Sequence, residues 1–176
     1  MKKIPKKIAI LATDGFEDAE LIYPFYRLKE AGHEVELISL ENRVIKGKNG
    51  YPMMPDLVVE EIDEEKVAEF DGLVIPGGTN NPDYLRRSKK VLDFVKMIDD
   101  QGKLVAAICH AGWVLISAKI VKGRRATSYF AMRHDMKNAG VLYENSPVVI
   151  DGNLITSRMP ADLPDFLKAI LTYLEK

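Results

Sequence analysis

The chain has 176 residues, 47% apolar and 29% charged, with a formal net charge of -1. That length suits one domain around one hydrophobic core, and the near-neutral charge gives no electrostatic case for nucleic acid or an anionic membrane as a partner. The single cysteine, Cys109, rules out an internal disulfide and fits a reducing cytoplasm.

The start, Met1-Lys2-Lys3-Ile4-Pro5-Lys6-Lys7, is basic but leads into an apolar run too short for a signal peptide. No stretch approaches the roughly 20 apolar residues that span a bilayer. Ile8 to Ala12 is a continuous apolar run, the pattern of a strand buried on both faces of a parallel sheet. Phe16 to Ala31 carries Leu21, Ile22, Phe25 and Leu28 at helical spacing, with Gly32 at the C′ position and Pro24 predicting a kink or break. His33 to Leu40 reads as the second strand, and Lys46 to Asp56, with two glycines and two prolines, as loop or hairpin. Leu73-Val74-Ile75 is a third strand, ending at Pro76-Gly77-Gly78, and a helix is predicted from about Pro82 to Asp100. Within it, Arg86-Arg87-Ser88-Lys89-Lys90 reads as a solvated face. Leu104 to Ile108 is a fourth strand, followed directly by Cys109 and a helix from His110 to Ala118. Ala126 to Tyr129 is strand-like, Met132 to Ala139 a short helix, Asp151-Gly152-Asn153 a hairpin turn, and Leu163 to Leu174 a closing amphipathic helix.

Repeated strand-then-helix order predicts an α/β sandwich: a mostly parallel sheet with helices on both faces and right-handed crossovers. In such folds ligands sit beyond the carboxyl ends of the strands. Three segments converge there: Asp14-Gly15-Phe16-Glu17, Pro76-Gly77-Gly78 and Cys109-His110-Ala111-Gly112.

Each has a structural and a chemical reading. Cys109 is either a small buried hydrophobe or a nucleophile on a sharp strand-to-helix turn, its thiolate favoured by the following helix N-terminus. Glu17 is either a carboxylate stabilised by the helix dipole, as Asp18 and Glu20 are equally, or a proton carrier facing Cys109. Gly77 and Gly78 either supply a turn with positive φ or offer backbone N–H groups to an oxyanion, and these are compatible. His110 is placed to reach the thiol. His33 and His134 have no comparable setting, and the histidines and cysteine have no metal-ligand spacing.

Together these residues resemble the ThiJ/PfpI family, in particular its intracellular-protease-like branch. The resemblance spans almost the whole chain, from Phe16-Glu17-Asp18-Ala19-Glu20-Leu21-Ile22-Tyr23-Pro24 through Ala107-Ile108-Cys109-His110 to Ser157-Arg158-Met159-Pro160-Ala161-Asp162-Leu163. It implies a flavodoxin-like three-layer sandwich in a single domain. It also implies a Glu17–Cys109 hydrogen bond, an oxyanion pocket formed by backbone groups of Gly78 and His110, and Tyr129 beside the substrate. The branch is described with a Cys-His-Glu triad whose acid comes from a neighbouring subunit. The matching residue is Asp83, one methylene shorter than the usual glutamate, and Ala111-Gly112-Trp113 stands where glycine-proline is common. The implied activity is a cofactor-free, cysteine-dependent hydrolase in a homo-oligomer, dimer or hexamer, acting on peptides or on small carbonyl compounds. Alternatives are a glyoxalase or deglycase acting on methylglyoxal or its adducts, and a redox-sensing or chaperone-like stress protein.

Overall fold

A computed structural model of the chain describes residues 4–176; the first three residues of the basic start lie outside them. In chain order the elements are β1 (Lys7–Leu11), α1 (Asp18–Glu30), β2 (Glu34–Ser39), β3 (Ile45–Lys46), β4 (Pro52–Met53), β5 (Leu57–Val58), α2 (Glu64–Glu69) and β6 (Gly72–Ile75). There follow α3 (Asn80–Leu85), α4 (Lys89–Asp100), β7 (Leu104–Ile108), α5 (Gly112–Ser117), β8 (Arg125–Ala126), α6 (Arg133–Asn138), β9 (Leu142–Tyr143), β10 (Val148–Asp151), β11 (Leu154–Ser157) and α7 (Leu163–Leu174).

Seven strands form one sheet in the order β10-β11-β7-β6-β1-β2-β5. All neighbours run parallel except the edge hairpin β10–β11, whose turn holds Gly152 at φ +61°. Because side chains alternate across a strand, Ile8 and Ile10 of β1 enter one apolar layer while Ala9 and Leu11 enter the other. The first layer packs under α1 and α7, with Leu21, Leu28, Phe166 and Ile170 buried against it. The second packs under α2, α4 and α5, with Val67, Phe94, Val95 and Val114. Burial on both faces is why the central strands read as unbroken apolar runs. This is the flavodoxin-like three-layer sandwich. The chain leaves β1 for β2 on one side and returns to β6 on the other, so the order reverses between β1 and β6, and a crevice opens there.

Several expectations need correction. The helix expected over 82–100 is two helices: the Ser88 hydroxyl accepts the Val91 N–H at 3.3 Å and caps a new start at Lys89. Pro24 does not break α1, which runs through 13 residues. The strand expected over 126–129 is reduced to Arg125–Ala126, since the Thr127 N–H turns to the Thr156 hydroxyl at 2.8 Å. The helix after Cys109 begins with a tight 3-10 turn over Cys109–Ala111, and α5 proper starts only at Gly112. No helix among the described residues is long and apolar enough to cross a membrane.

Candidate active site

β1, β6 and β7 end side by side, and their exits build the site. Asn81 ties two of them together. Its side-chain oxygen accepts the Thr13 N–H at 2.7 Å, and its amide donates to the carbonyls of Pro76 at 2.8 Å and Gly77 at 3.2 Å. Between β7 and α5, Cys109 takes φ +62°, a left-handed conformation that disfavours any side chain. The surrounding structure enforces it, with the Tyr129 N–H donating to the Cys109 carbonyl at 3.2 Å. The thiol is 8% exposed, and the backbone N–H groups of Gly78 and His110 point at its sulfur.

The carboxyl against the thiol is Glu20, not Glu17. Glu20 is fully buried; its Oε2 accepts the Gly77 N–H at 2.7 Å, while Oε1 has no hydrogen-bond partner among the described residues. Burial pushes its pKa up to about 8, partly countered by the Gly77 N–H. Glu17 sits just before α1 and pairs instead with Lys48. The helical register explains the exchange: Glu20 shares the buried stripe of α1 with Leu21, Pro24 and Leu28, whereas Glu17 lies ahead of the first turn. The Gly77 amide is therefore committed to Glu20, and of the two glycines only Gly78 offers its N–H to the sulfur.

The surroundings of the thiol oppose the thiolate as well as favour it. Burial, and then the charge of Glu20, push the Cys109 thiol up to about 12, despite the two amides that pull it down. A six-residue helix that starts three residues downstream supplies little dipole. Burying the two groups together disfavours the charged form of each, which also makes the unpartnered Oε1 less costly to bury.

The other titratable side chain at the sulfur is His110. Its Nδ1 lies 3.2 Å from the Cys109 sulfur. Burial, and then the nearby Lys48 charge, lower its pKa, so the ring is neutral and able to accept a proton. Tyr129 stacks on it at 4.8 Å between centroids, and Trp113 meets it edge-on at 5.1 Å. Asp83 is not brought to this cluster. It lies on the exposed side of α3, and its side chain makes no hydrogen bond or ion pair among the described residues.

A stability measurement checks the assignment of Glu20. Unfolded, its carboxyl ionises near the usual 4.5; folded, only near 8. Between those values the folded state holds a proton the unfolded state has lost, so stability conferred through Glu20 is complete below pH 4.5 and drains away as pH rises through 8. Relative to Glu20→Gln, the wild-type protein is expected to lose a few kcal/mol across that window in denaturant titrations. A pH-independent difference between the two proteins would remove the buried-acid assignment.

An α/β sandwich with a cysteine on a strained strand-to-helix elbow, backed by glycine amides, a histidine and a buried acid, defines a class of cysteine-centred sandwich proteins. The profile of the DJ-1/PfpI family matches residues 6–173, and the chain belongs to that family. It is 45% identical over 169 residues to Deglycase PfpI of Pyrococcus furiosus, covering 96% of this chain and 99% of that protein. It is 42% identical over 171 residues to Protein/nucleic acid deglycase 2 of Escherichia coli, covering 96% and 98%. Among solved structures, a two-domain protein of Anabaena variabilis, with DJ-1/ThiJ/PfpI-like and ferritin-like domains, superposes with a TM-score of 0.92 at 44% identity. That match covers 96% of this chain and 48% of the other, so this chain spans about half of the two-domain protein.

Sequence reasoning missed two residues of the site. Glu20 carried a readable signal, an acid on the apolar stripe of a helix. Lys48 carried none, because its position depends on how the β3–β4 hairpin folds back over the strand ends.

Proposed function

We propose that this protein is a cysteine-dependent deglycase-type hydrolase that removes methylglyoxal from its adducts. The reading is carried by the Cys109 sulfur, held between two backbone N–H groups and 3.2 Å from a neutral imidazole nitrogen. The relatives named deglycases support the substrate class.

The adduct first releases its amine, guanidine or thiol, with a proton, from the former aldehyde carbon as that carbon regains its carbonyl; the sulfur then adds to this carbon as His110 takes the thiol proton, and the Gly78 and His110 amides stabilise the developing oxyanion. Glu20, beside the thiol, is the second proton carrier: it moves a proton between the two carbons of the bound fragment, yielding a lactoyl thioester. Water hydrolyses that thioester to lactate and restores the thiol. For an adduct the net change is addition of water, releasing lactate and the free amine, guanidine or thiol, with no external oxidant or reductant.

Peptide cleavage fits less well. It needs a carboxylate to fix the imidazole tautomer, and the contacts of His110 are the sulfur and two aromatic rings. A peptidase built on Asp83 would have to borrow that acid across an interface between copies. A redox-sensing role is disfavoured too, because sensor cysteines are acidic and open, whereas this thiol is buried and its pKa is pushed up.

The test follows lactate released from methylglyoxal-modified N-acetylarginine, alongside cleavage of fluorogenic peptides. Lactate release without peptide cleavage is the expected result; peptide cleavage without lactate would overturn the reading. In the same assay Asp83→Asn is expected to change turnover by less than about twofold, as for a surface residue without partners. A larger loss would give Asp83 a part in the chemistry.

A further inference from the structure

One wall of the site is the β3–β4 hairpin, whose turn is Gly47-Lys48-Asn49-Gly50. It is fastened by its backbone. The Lys48 N–H donates to the Phe16 carbonyl at 2.8 Å, and the Asp18 carboxylate accepts the N–H groups of Asn49 at 3.0 Å and Tyr51 at 3.1 Å. At its base, Asp14 accepts the Lys46 N–H at 2.8 Å. A β-carbon on Gly47 would lie 2.5 Å from Asp18 Oδ1, so the turn packs hard against the start of α1. With the loop held this way, the Lys48 side chain is not needed as a tether.

That side chain is 53% exposed and pairs with the Glu17 carboxylate, which is 14% exposed. Glu17 in turn is tied to the floor of the site: its N–H donates to the Gly77 carbonyl at 3.2 Å, one residue before the amide that faces the sulfur. Lys48 is a cation that acts on Cys109, Glu20 and His110 together. An ammonium that already grips a carboxylate, on a turn tied to the Phe16 carbonyl beside the Gly77-Gly78 segment, has the chemistry of an anion-binding residue.

We propose that Lys48 binds the carboxylate of an anionic carbonyl substrate or of the carboxylate product, and that Glu17 is the internal carboxylate the ligand displaces. The ligand class is the small 2-oxo or 2-hydroxy acid, lactate among them. The proposal builds on Cys109 as the nucleophile, and it assigns specificity and product binding to a residue that takes no part in bond making.

The test compares alkylation of Cys109 by iodoacetate and by iodoacetamide. In both, the sulfur–carbon bond forms as iodide leaves; the reagents are of similar size, and only one carries a carboxylate. Their rate ratio cancels any change in thiol ionisation or in the fold around the sulfur. Lys48→Met is expected to lower the iodoacetate-to-iodoacetamide ratio about tenfold, the size of one partly exposed charge-assisted contact. Glu17→Gln is expected to raise the ratio by freeing the ammonium, and lactate is expected to slow iodoacetate in the wild type but not in Lys48→Met. A ratio in Lys48→Met within about twofold of wild type, or a fall in Glu17→Gln, would overturn the proposal. Alkylation needs only the thiol, so a protein that shows these ratios yet releases no lactate from adducts would refute the deglycase reading and leave this one standing.

Discussion

Cys109→Ala is expected to abolish lactate release from methylglyoxal adducts, at least about a thousandfold below wild type, because the chain has no other thiol to form the thioester. The variant isolates chemistry from folding. Alanine meets the same φ of +62° that cysteine already accepts, so the backbone strain is unchanged. It also removes the sulfur with which Glu20 and His110 interact, sparing the carboxyl a neighbour rather than exposing it. Thermal unfolding should therefore shift by only a few degrees while activity vanishes. An active and well-folded Cys109→Ala protein would contradict the nucleophile assignment.

Gly78→Ala is expected to give the largest loss of stability of any single methyl addition near the site. Gly78 has φ +82°, and a β-carbon there would lie 2.2 Å from the Gly15 carbonyl oxygen, 2.8 Å from the Glu17 nitrogen and 3.0 Å from the Phe16 carbonyl carbon. All three are backbone atoms and cannot rotate away. The segment after β1 would have to move off the segment after β6, opening the crevice where the strand order reverses. Overpacking and strained φ together should cost about 2–4 kcal/mol, a fall of roughly 10 °C in unfolding midpoint for a chain of this size. Gly32→Ala is the control: φ is +90° but nothing lies within 4 Å, so only the conformational cost of about 1 kcal/mol applies. Equal shifts for the two variants would show that the close approach of the two strand exits does not hold the site.

The sheet was legible in the sequence because its central strands are buried on both faces, so Ile8 to Ala12 and Leu104 to Ile108 appear as unbroken apolar runs that end at the functional segments. The short elements were not legible. Leu57–Val58 and Leu142–Tyr143 are two-residue pairings fixed by their neighbours rather than by any period of their own. The break between α3 and α4 turned on one serine cap inside an otherwise helical stretch. At the site, Cys109 and His110 were readable from their place after a buried strand. The choice between Glu17 and Glu20 was a matter of where α1 begins, and element boundaries are what pattern reading resolves least well. The pull of burial against the thiolate was beyond the sequence altogether, because it depends on how completely Cys109 and Glu20 are buried together. The same packing that presents the sulfur at the elbow also disfavours its charge, which is why the proposed mechanism gives His110 the thiol proton.

The most direct measurement is a carbon-13 NMR spectrum of the protein mixed with methylglyoxal labelled at the aldehyde carbon. Addition of the Cys109 sulfur predicts a protein-bound thiohemiacetal or thioester resonance that appears in the wild type, decays as labelled lactate accumulates, and is absent from Cys109→Ala. A bound resonance that persists in Cys109→Ala, or lactate formed with no bound species in the wild type even in single-turnover mixtures, would contradict covalent catalysis by this cysteine.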